Sequence, residues 1–230
     1  MTIKIYADGA DLQSIIELNK NPLVTGLTTN PTLLKKAGVT NYKEFALEVL
    51  KNVTEKPVSF EVIGDDWETM ARQAREINSW ASNVFVKIPF YNTEGIRMEG
   101  LVKELVAEKI KINLTAVFTY EQIRNSIRWL GNNTNSIISV FAGRISDAGY
   151  DPTSFVSYAK YNKMPNQEIL WASTRERFNI QQAEECGADI ITVGHDILKK
   201  VIDGKKDLED FSLETVRMFY SDAVASGFTL

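Results

Sequence analysis

The chain has 230 residues, of which 44% are hydrophobic and 24% charged, and it carries a formal net charge of −4. That is an ordinary globular composition with apolar material for one sizeable core, so a single domain over residues 1–230 is expected. There is no basic surplus for holding a phosphate backbone or an anionic membrane, which argues against nucleic-acid and membrane partners.

No stretch reaches the ~18 uninterrupted apolar residues of a membrane span. The opening Met1-Thr2-Ile3-Lys4-Ile5-Tyr6-Ala7-Asp8 runs straight into a strand pattern with no export-signal character. Cys186 is the only cysteine, which excludes an internal disulfide and cysteine-based zinc clusters and fits a reducing cytoplasm. His195 is the only histidine. A His-rich metal centre is thereby excluded, and His195 reads as a residue at an element boundary rather than a catalytic group.

In chain order, short β-branched runs alternate with segments of helical spacing. Ile3 to Ala7 is followed by a helix over Asp11 to Asn19, Gly26 to Thr29 by one over Tyr42 to Asn52, and Val58 to Val62 by one over Trp67 to Ala81. Val84 to Ile88 precedes a helix over Gly95 to Glu108, and Lys111 to Val117 precedes one over Tyr120 to Leu130. Ile137 to Ala142, Glu168 to Ala172 and Asp189 to Val193 lead into helices over Pro152 to Tyr161, Arg177 to Cys186 and Asp196 to Ile202. Beyond Asp203-Gly204 a polar connection leads to a ninth helix over Ser212 to Ala225, with Ser212 as its N-cap. This surplus helix either seals the barrel bottom or packs on a neighbouring subunit.

Strand-then-helix units demand parallel strands with right-handed crossovers. Eight such units favour a closed (β/α)8 TIM barrel over an open doubly wound sheet, and no Gly-x-Gly-x-x-Gly turn follows any strand.

In such a barrel the chemistry collects at the C-terminal strand ends. Strand one ends in Asp8, strand two in Thr28-Thr29-Asn30-Pro31, and strand three carries Glu61. Strand four holds Lys87, strand five Asn113 and Thr115, strand six Ser139 and Phe141 with Arg144 just beyond, and strand seven ends in Ser173-Thr174-Arg175. Lys87 is the most telling of these, because Val84-Phe85-Val86-Lys87-Ile88-Pro89 reads as a buried strand. Burial strips the ammonium of hydration and lowers its pKa, leaving neutral amine near pH 7, the form that attacks a carbonyl to make a Schiff base. The structural alternative is that Lys87 reaches water at the strand mouth or pairs with a carboxylate. Likewise, Asp8 could cap the helix opening at Asp11, Asn30-Pro31 could be a turn, and Glu61 could serve only to neutralise Lys87.

Gly26-Leu27-Thr28-Thr29-Asn30-Pro31-Thr32 and Val84 to Pro89 resemble two signatures of the transaldolase family, the second bearing its Schiff-base lysine. Val58 to Val62, Asn113-Leu114-Thr115, Phe141 to Ile145 and Ala172 to Arg175 are similar to further segments in the same order. The resemblance is to the short branch, which also contains fructose-6-phosphate aldolase-like enzymes. It implies a class I mechanism without metal or organic cofactor, acting on sugar phosphates, in a homo-oligomer of five or ten subunits.

By that resemblance Lys87 forms the imine, Asp8 is the acid/base for carbon–carbon cleavage, and Glu61 with Thr115 handles the water of imine formation. Thr28, Asn30, Asn113 and Ser139 are placed like residues around the dihydroxyacetone unit, and Arg144, Ser173 and Arg175 like phosphate ligands. Arg177 is either an addition to that phosphate site or a solvated residue of a first helical turn. Phe141 and Glu61 match the transferases, where aldolase-like members carry tyrosine and glutamine. An aldolase releasing free dihydroxyacetone, and a non-catalytic sugar-phosphate-binding barrel, are the alternatives. Asp8-Gly9-Ala10, Ser139-Val140-Phe141 and Thr174 depart from the family pattern, which leaves the preferred sugars open.

Overall fold

A computed structural model describes residues 3–229. Its strands are β1 (Lys4–Asp8), β2 (Val24–Thr28), β3 (Val58–Glu61), β4 (Val84–Pro89), β5 (Ile112–Val117), β6 (Ser136–Val140), β7 (Gln167–Trp171) and β8 (Ile190–Gly194). They pair in parallel in sequence order, and β8 closes back onto β1. The expected (β/α)8 barrel is therefore the observed one.

Side chains two apart on a strand share a face, and the strands bury two distinct apolar sets accordingly. Ile5, Leu27, Val58, Val86, Leu114, Val140, Trp171 and Val193 pack outward under the helices. Tyr6, Phe85, Ile137, Leu170 and Ile190 fill the barrel interior. Gly26 is required in this interior, since a Cβ there would stand 2.5 Å from the Tyr6 ring. The face that carries Tyr6 carries Asp8 one layer higher, and the face of Phe85 carries Lys87. The apolar floor thus dictates which residues reach the mouth.

The helices are α1 (Leu12–Asn19), α2 (Pro31–Lys36), α3 (Tyr42–Asn52), α4 (Trp67–Ser79), α5 (Glu99–Ala107) and α6 (Tyr120–Leu130). They continue with α7 (Ala142–Asp147), α8 (Pro152–Asn162), α9 (Asn179–Glu185), α10 (His195–Ile202) and α11 (Leu208–Ser226). Two of these are additions to the expected set. Asn30, expected as part of a strand end or turn, accepts a hydrogen bond from Leu33 N and caps α2, with Pro31 in its first turn. The six-residue α7 starts at the end of β6 with no side-chain cap, so it offers no terminal signal. Asp11, not Asp8, caps α1.

The last helix also starts earlier than expected. Asp207 accepts from Glu209 N and Asp210 N, and so caps the helix five residues before Ser212, the expected cap. No residue of α11 is buried, so it does not seal the barrel bottom. Phe211, Val216, Phe219, Tyr220 and Val224 all lie exposed along its 19 residues. Among the described residues no helix is long and apolar enough to cross a membrane.

Candidate active site

All twelve residues singled out by sequence line one cavity of about 520 Å³ at the C-terminal mouth of the barrel: Asp8, Thr28, Asn30, Glu61, Lys87, Asn113, Thr115, Ser139, Phe141, Arg144, Ser173 and Arg175. Thr192 and Gly194 of β8 and Asp196 are also in its wall.

Glu61 and Lys87 sit opposite each other in the β3–β4 register. Lys87 Nζ lies 2.9 Å from Glu61 Oε2 and donates a second bond to Thr29 O at 2.8 Å. The lysine is 7% exposed, and what remains open faces the cavity. Sequence offered burial and carboxylate pairing as competing descriptions of Lys87; here they coexist. Glu61 is held by Tyr42, whose hydroxyl accepts from Glu61 N and donates to Glu61 O, both at 2.9 Å. Burial raises the Tyr42 phenol pKa well above its ordinary value, so it stays neutral and able to donate.

Asp8 is the second charged centre. Thr28 Oγ1 donates to Asp8 Oδ1 at 2.8 Å, and Asn30 Nδ2 reaches toward Oδ2 at 3.5 Å. Burial pushes the Asp8 carboxyl pKa above the ordinary value. The Lys87 charge and the Thr28 hydrogen bond oppose that rise, Glu61 adds to it, and the Asn30 bond is the smallest opposing influence. Asp8 is thus a carboxyl poised to hold a proton, which is what an acid/base group must do near neutrality.

The floor between these centres is a hydroxyl–amide row. Ser139 Oγ donates to Asn113 Oδ1 at 2.6 Å, and Asn113 Nδ2 donates to Ser59 Oγ at 3.1 Å. The Asn113 amide is therefore fixed in one orientation, with one N–H left for a ligand. Thr115 is only 2% exposed, and its Oγ1 has no hydrogen-bond partner among the described residues. An orphaned hydroxyl of this kind lining a cavity is suited to receive water or a substrate oxygen.

The far side is cationic, but its two arginines differ. Arg144 lies over the Phe141 ring, 5.8 Å from its centroid, and has no salt-bridge partner among the described residues. Arg175 forks onto Asp147, Nη2 to Oδ2 at 2.5 Å and Nε to Oδ1 at 3.2 Å, so only part of its donor set is free for a ligand. Ser173 adopts φ 64°, unusual for a residue with a Cβ, and so does Ala116 near the end of β5 at φ 58°. Backbone held this way needs support from its surroundings. Gly143 supplies some of it, since its missing Cβ would lie 1.6 Å from Ser173 O.

Arg177 does not line the cavity and instead donates to Gly204 O, tying the segment before α9 to the connection before α11. His195 opens α10 at the strand–helix boundary. Sequence reading missed Ser59, Tyr42, Asp147 and Thr192. Thr192 was detectable in principle, because it shares the inward face of Ile190, but a threonine inside a β-run carries no signal of its own.

Comparison with known proteins bears on the family of the chain. Residues 5–229 match the sequence profile of the transaldolase/fructose-6-phosphate aldolase family. The chain is 32% identical over 206 residues to a protein of Dehalococcoides mccartyi called a probable transaldolase, covering 87% of this chain and 90% of that one. It is 34% identical over 218 residues to a probable transaldolase of Thermoanaerobacter sp. (strain X514), covering 92% and 94%. A probable transaldolase of Methanococcus maripaludis (strain C7) is 34% identical over 207 residues, covering 86% and 89%. A Burkholderia cenocepacia J2315 crystal structure, itself only provisionally named a lyase/mutase, superimposes with a TM-score of 0.60 at 11% identity over 87% of this chain and 79% of that one. That likeness concerns the barrel alone. With a family profile spanning almost every residue and relatives aligned nearly end to end, the chain belongs to the transaldolase/fructose-6-phosphate aldolase family.

Proposed function

We propose that this protein is a class I transaldolase that carries a dihydroxyacetone unit from a ketose phosphate, such as fructose 6-phosphate or sedoheptulose 7-phosphate, to an aldose phosphate. The observation that carries the proposal is Lys87, an amine open to the cavity and in contact with a carboxylate that can take its proton. With that proton on Glu61, the neutral amine attacks the ketone carbon. The carbinolamine loses water, and an iminium forms on Lys87. Water leaves or enters between Glu61 and the unpartnered Thr115 hydroxyl.

Asp8 then takes the proton of the C4 hydroxyl as the C3–C4 bond breaks. Its electron pair flows into the iminium, giving an enamine, and C4 departs as the aldehyde. The acceptor aldehyde enters, the enamine carbon attacks it, and Asp8 returns the proton to the new alkoxide. Hydrolysis of the iminium frees the product and Lys87. The scheme uses only side chains of this chain and asks for no cofactor. Arg144, with Ser173 and part of Arg175, holds the phosphate. The reaction belongs beside the pentose phosphate pathway in a reducing cytoplasm.

Transfer is favoured over release of free dihydroxyacetone by the wall the enamine would meet. Phe141 packs on Phe118 with ring centroids 5.5 Å apart and presents no hydroxyl to protonate an enamine. The exposed apolar residues of α11 support a homo-oligomer in which this helix packs on a neighbouring copy. The test is an imine trap: incubation with fructose 6-phosphate, borohydride reduction, and a three-carbon mass increment on Lys87. Repeated turnover without an aldose acceptor would identify an aldolase instead, and no adduct at all would leave only a binding barrel.

A further inference from the structure

The proposed cleavage asks Asp8 to act as a base although burial favours its protonated form. Whatever aims and supports its carboxylate therefore affects the rate. Strand β1 lies between β2 and β8, and Asp8 is in register with Thr28 on one side and Gly194 on the other. Two residues before Gly194 is Thr192, turned to the same inward face and 7% exposed. Its hydroxyl meets that of Thr28 across the intervening strand, with Oγ1 atoms 2.5 Å apart. The main chain of Thr192 is held by the β1–β8 ladder, and its carbonyl accepts from Thr174 Oγ1 at 2.7 Å.

A hydroxyl has a single hydrogen to give. Against an ionised Asp8, Thr28 gives its hydrogen to Oδ1 at 2.8 Å, so the Thr192–Thr28 contact must be served by the hydrogen of Thr192. An oxygen that accepts one bond donates the next more strongly, and each donor in such a chain fixes the rotor of the one after it. We infer that Thr192 is a positioning residue for Asp8, acting through the Thr28 hydroxyl. The chain runs Thr192 to Thr28 to Asp8 while Asp8 is the base. When Asp8 holds the C4 proton on Oδ2, its Oδ1 goes on accepting from Thr28 and the chain keeps its direction, with no heavy atom displaced. The relay accommodates both protonation states of the cycle.

The kinetic part of this inference rests on the Schiff-base reading; the relay itself is measurable without substrate. The charged groups facing Asp8 are Lys87 from β4 and Glu61 from β3, with Asp196 of α10, Arg144 and Arg175 around the cavity wall. None of them is altered by a change at Thr192. Thr192→Val keeps the shape and removes the donor, whereas Thr192→Ser keeps the hydroxyl.

The experiment is a carbon-13 NMR titration of the Asp8 carboxyl in ligand-free protein, the resonance assigned by its loss in Asp8→Asn. In Thr192→Val the midpoint should rise by about half a pH unit, and in Thr192→Ser it should return toward wild type. In a Thr28→Val background, Thr192→Val should add nothing. Thr192→Ala serves if the valine variant does not fold. With substrate, kcat at neutral pH should fall about 3- to 10-fold in Thr192→Val, with KM little changed and its acid limb displaced upward. The borohydride adduct on Lys87 should still form. An unmoved Asp8 midpoint, or additive effects of the two threonines, overturns the relay and leaves the Schiff-base reading standing. Failure of wild type to form the adduct sinks that reading instead, while the NMR titration still decides the relay.

Discussion

Lys87 and Glu61 face each other on adjacent strands, Nζ to Oε2 at 2.9 Å, and Thr29 O takes a second hydrogen of the ammonium. The contact stabilises the resting charge on a lysine that burial alone would penalise, and it gives the proton a place to go when the amine is needed. Lys87→Met should abolish the borohydride adduct and leave Glu61 without its partner in a half-buried position. Removing one member of such a pair is expected to cost about 3 kcal/mol, and Lys87→Met/Glu61→Gln should recover most of it. Urea denaturation of the two variants is the check. A single variant as stable as the double would mean that the pair does not help hold the mouth together.

Asp8 makes a pH prediction with a definite sign. Its folded pKa lies above the ordinary carboxylate value, because burial outweighs the Lys87 charge and the Thr28 bond. The folded protein therefore binds this proton more tightly than the unfolded chain. The associated stability is fully present below the unfolded pKa and is lost as pH rises through the folded one. Asp8→Asn should consequently be more stable than wild type at pH 7 to 8, with the advantage gone near pH 4. The same variant should slow carbon–carbon cleavage by about 10²- to 10⁴-fold while still permitting imine formation. Paired melts at the two pH values, together with the trap, test both halves; an equally active Asp8→Asn would remove Asp8 from the proton-carrying role.

Much of this site was legible because a strand alternates its faces. Once Phe85 and Ile137 belong inside the barrel, Lys87 and Ser139 two positions later must rise to the mouth. What the alternation does not reveal is who meets whom across strands. Asp147 lies on α7 and Arg175 beyond β7, and their fork exists only because Gly143 lets those segments touch. α2 escapes a sequence reading because its six residues make fewer than two helical turns, too few to show a repeating pattern, and its cap, Asn30, is also a site residue. At α11 the run Lys205-Lys206-Asp207 looks like polar connection, yet Asp207 followed by Glu209 and Asp210 has the acidic character of a first helical turn.

The two arginines should not be equivalent. Arg144 has no carboxylate partner among the described residues, whereas Arg175 is engaged by Asp147 in a half-exposed fork. Arg144→Leu should raise KM for phosphorylated aldoses at least tenfold and barely change it for unphosphorylated ones. Asp147→Asn should alter stability by less than about 1 kcal/mol, as expected of an exposed pair, but should loosen Arg175 and raise KM for phosphorylated substrates only. Kinetics on matched phosphorylated and unphosphorylated acceptors distinguish the two effects. Equal losses on both substrate types would place the phosphate elsewhere.

The last helix gives a prediction about assembly. A 19-residue α-helix spans about 28 Å, and α11 buries none of its residues against its own barrel. Its N-terminus is capped by Asp207 and its C-terminus closes at Gly227 in the left-handed conformation, so both ends are well made although no face is covered. Isolated helices of this length are marginal in water and normally gain their stability from packing an apolar face. Val216, Phe219, Tyr220 and Val224 offer such a face, 60% to 73% exposed in the single chain. Packing on a neighbouring copy would account for it. Sedimentation of the wild type should then give a multiple of 25.9 kDa, and Val216→Glu/Phe219→Glu should shift the population toward the monomer. The barrel's near-ultraviolet spectrum, to which the buried Trp129 and Trp171 contribute, should persist in that variant. A wild-type protein that sediments as a monomer would show that α11 serves something other than assembly with itself.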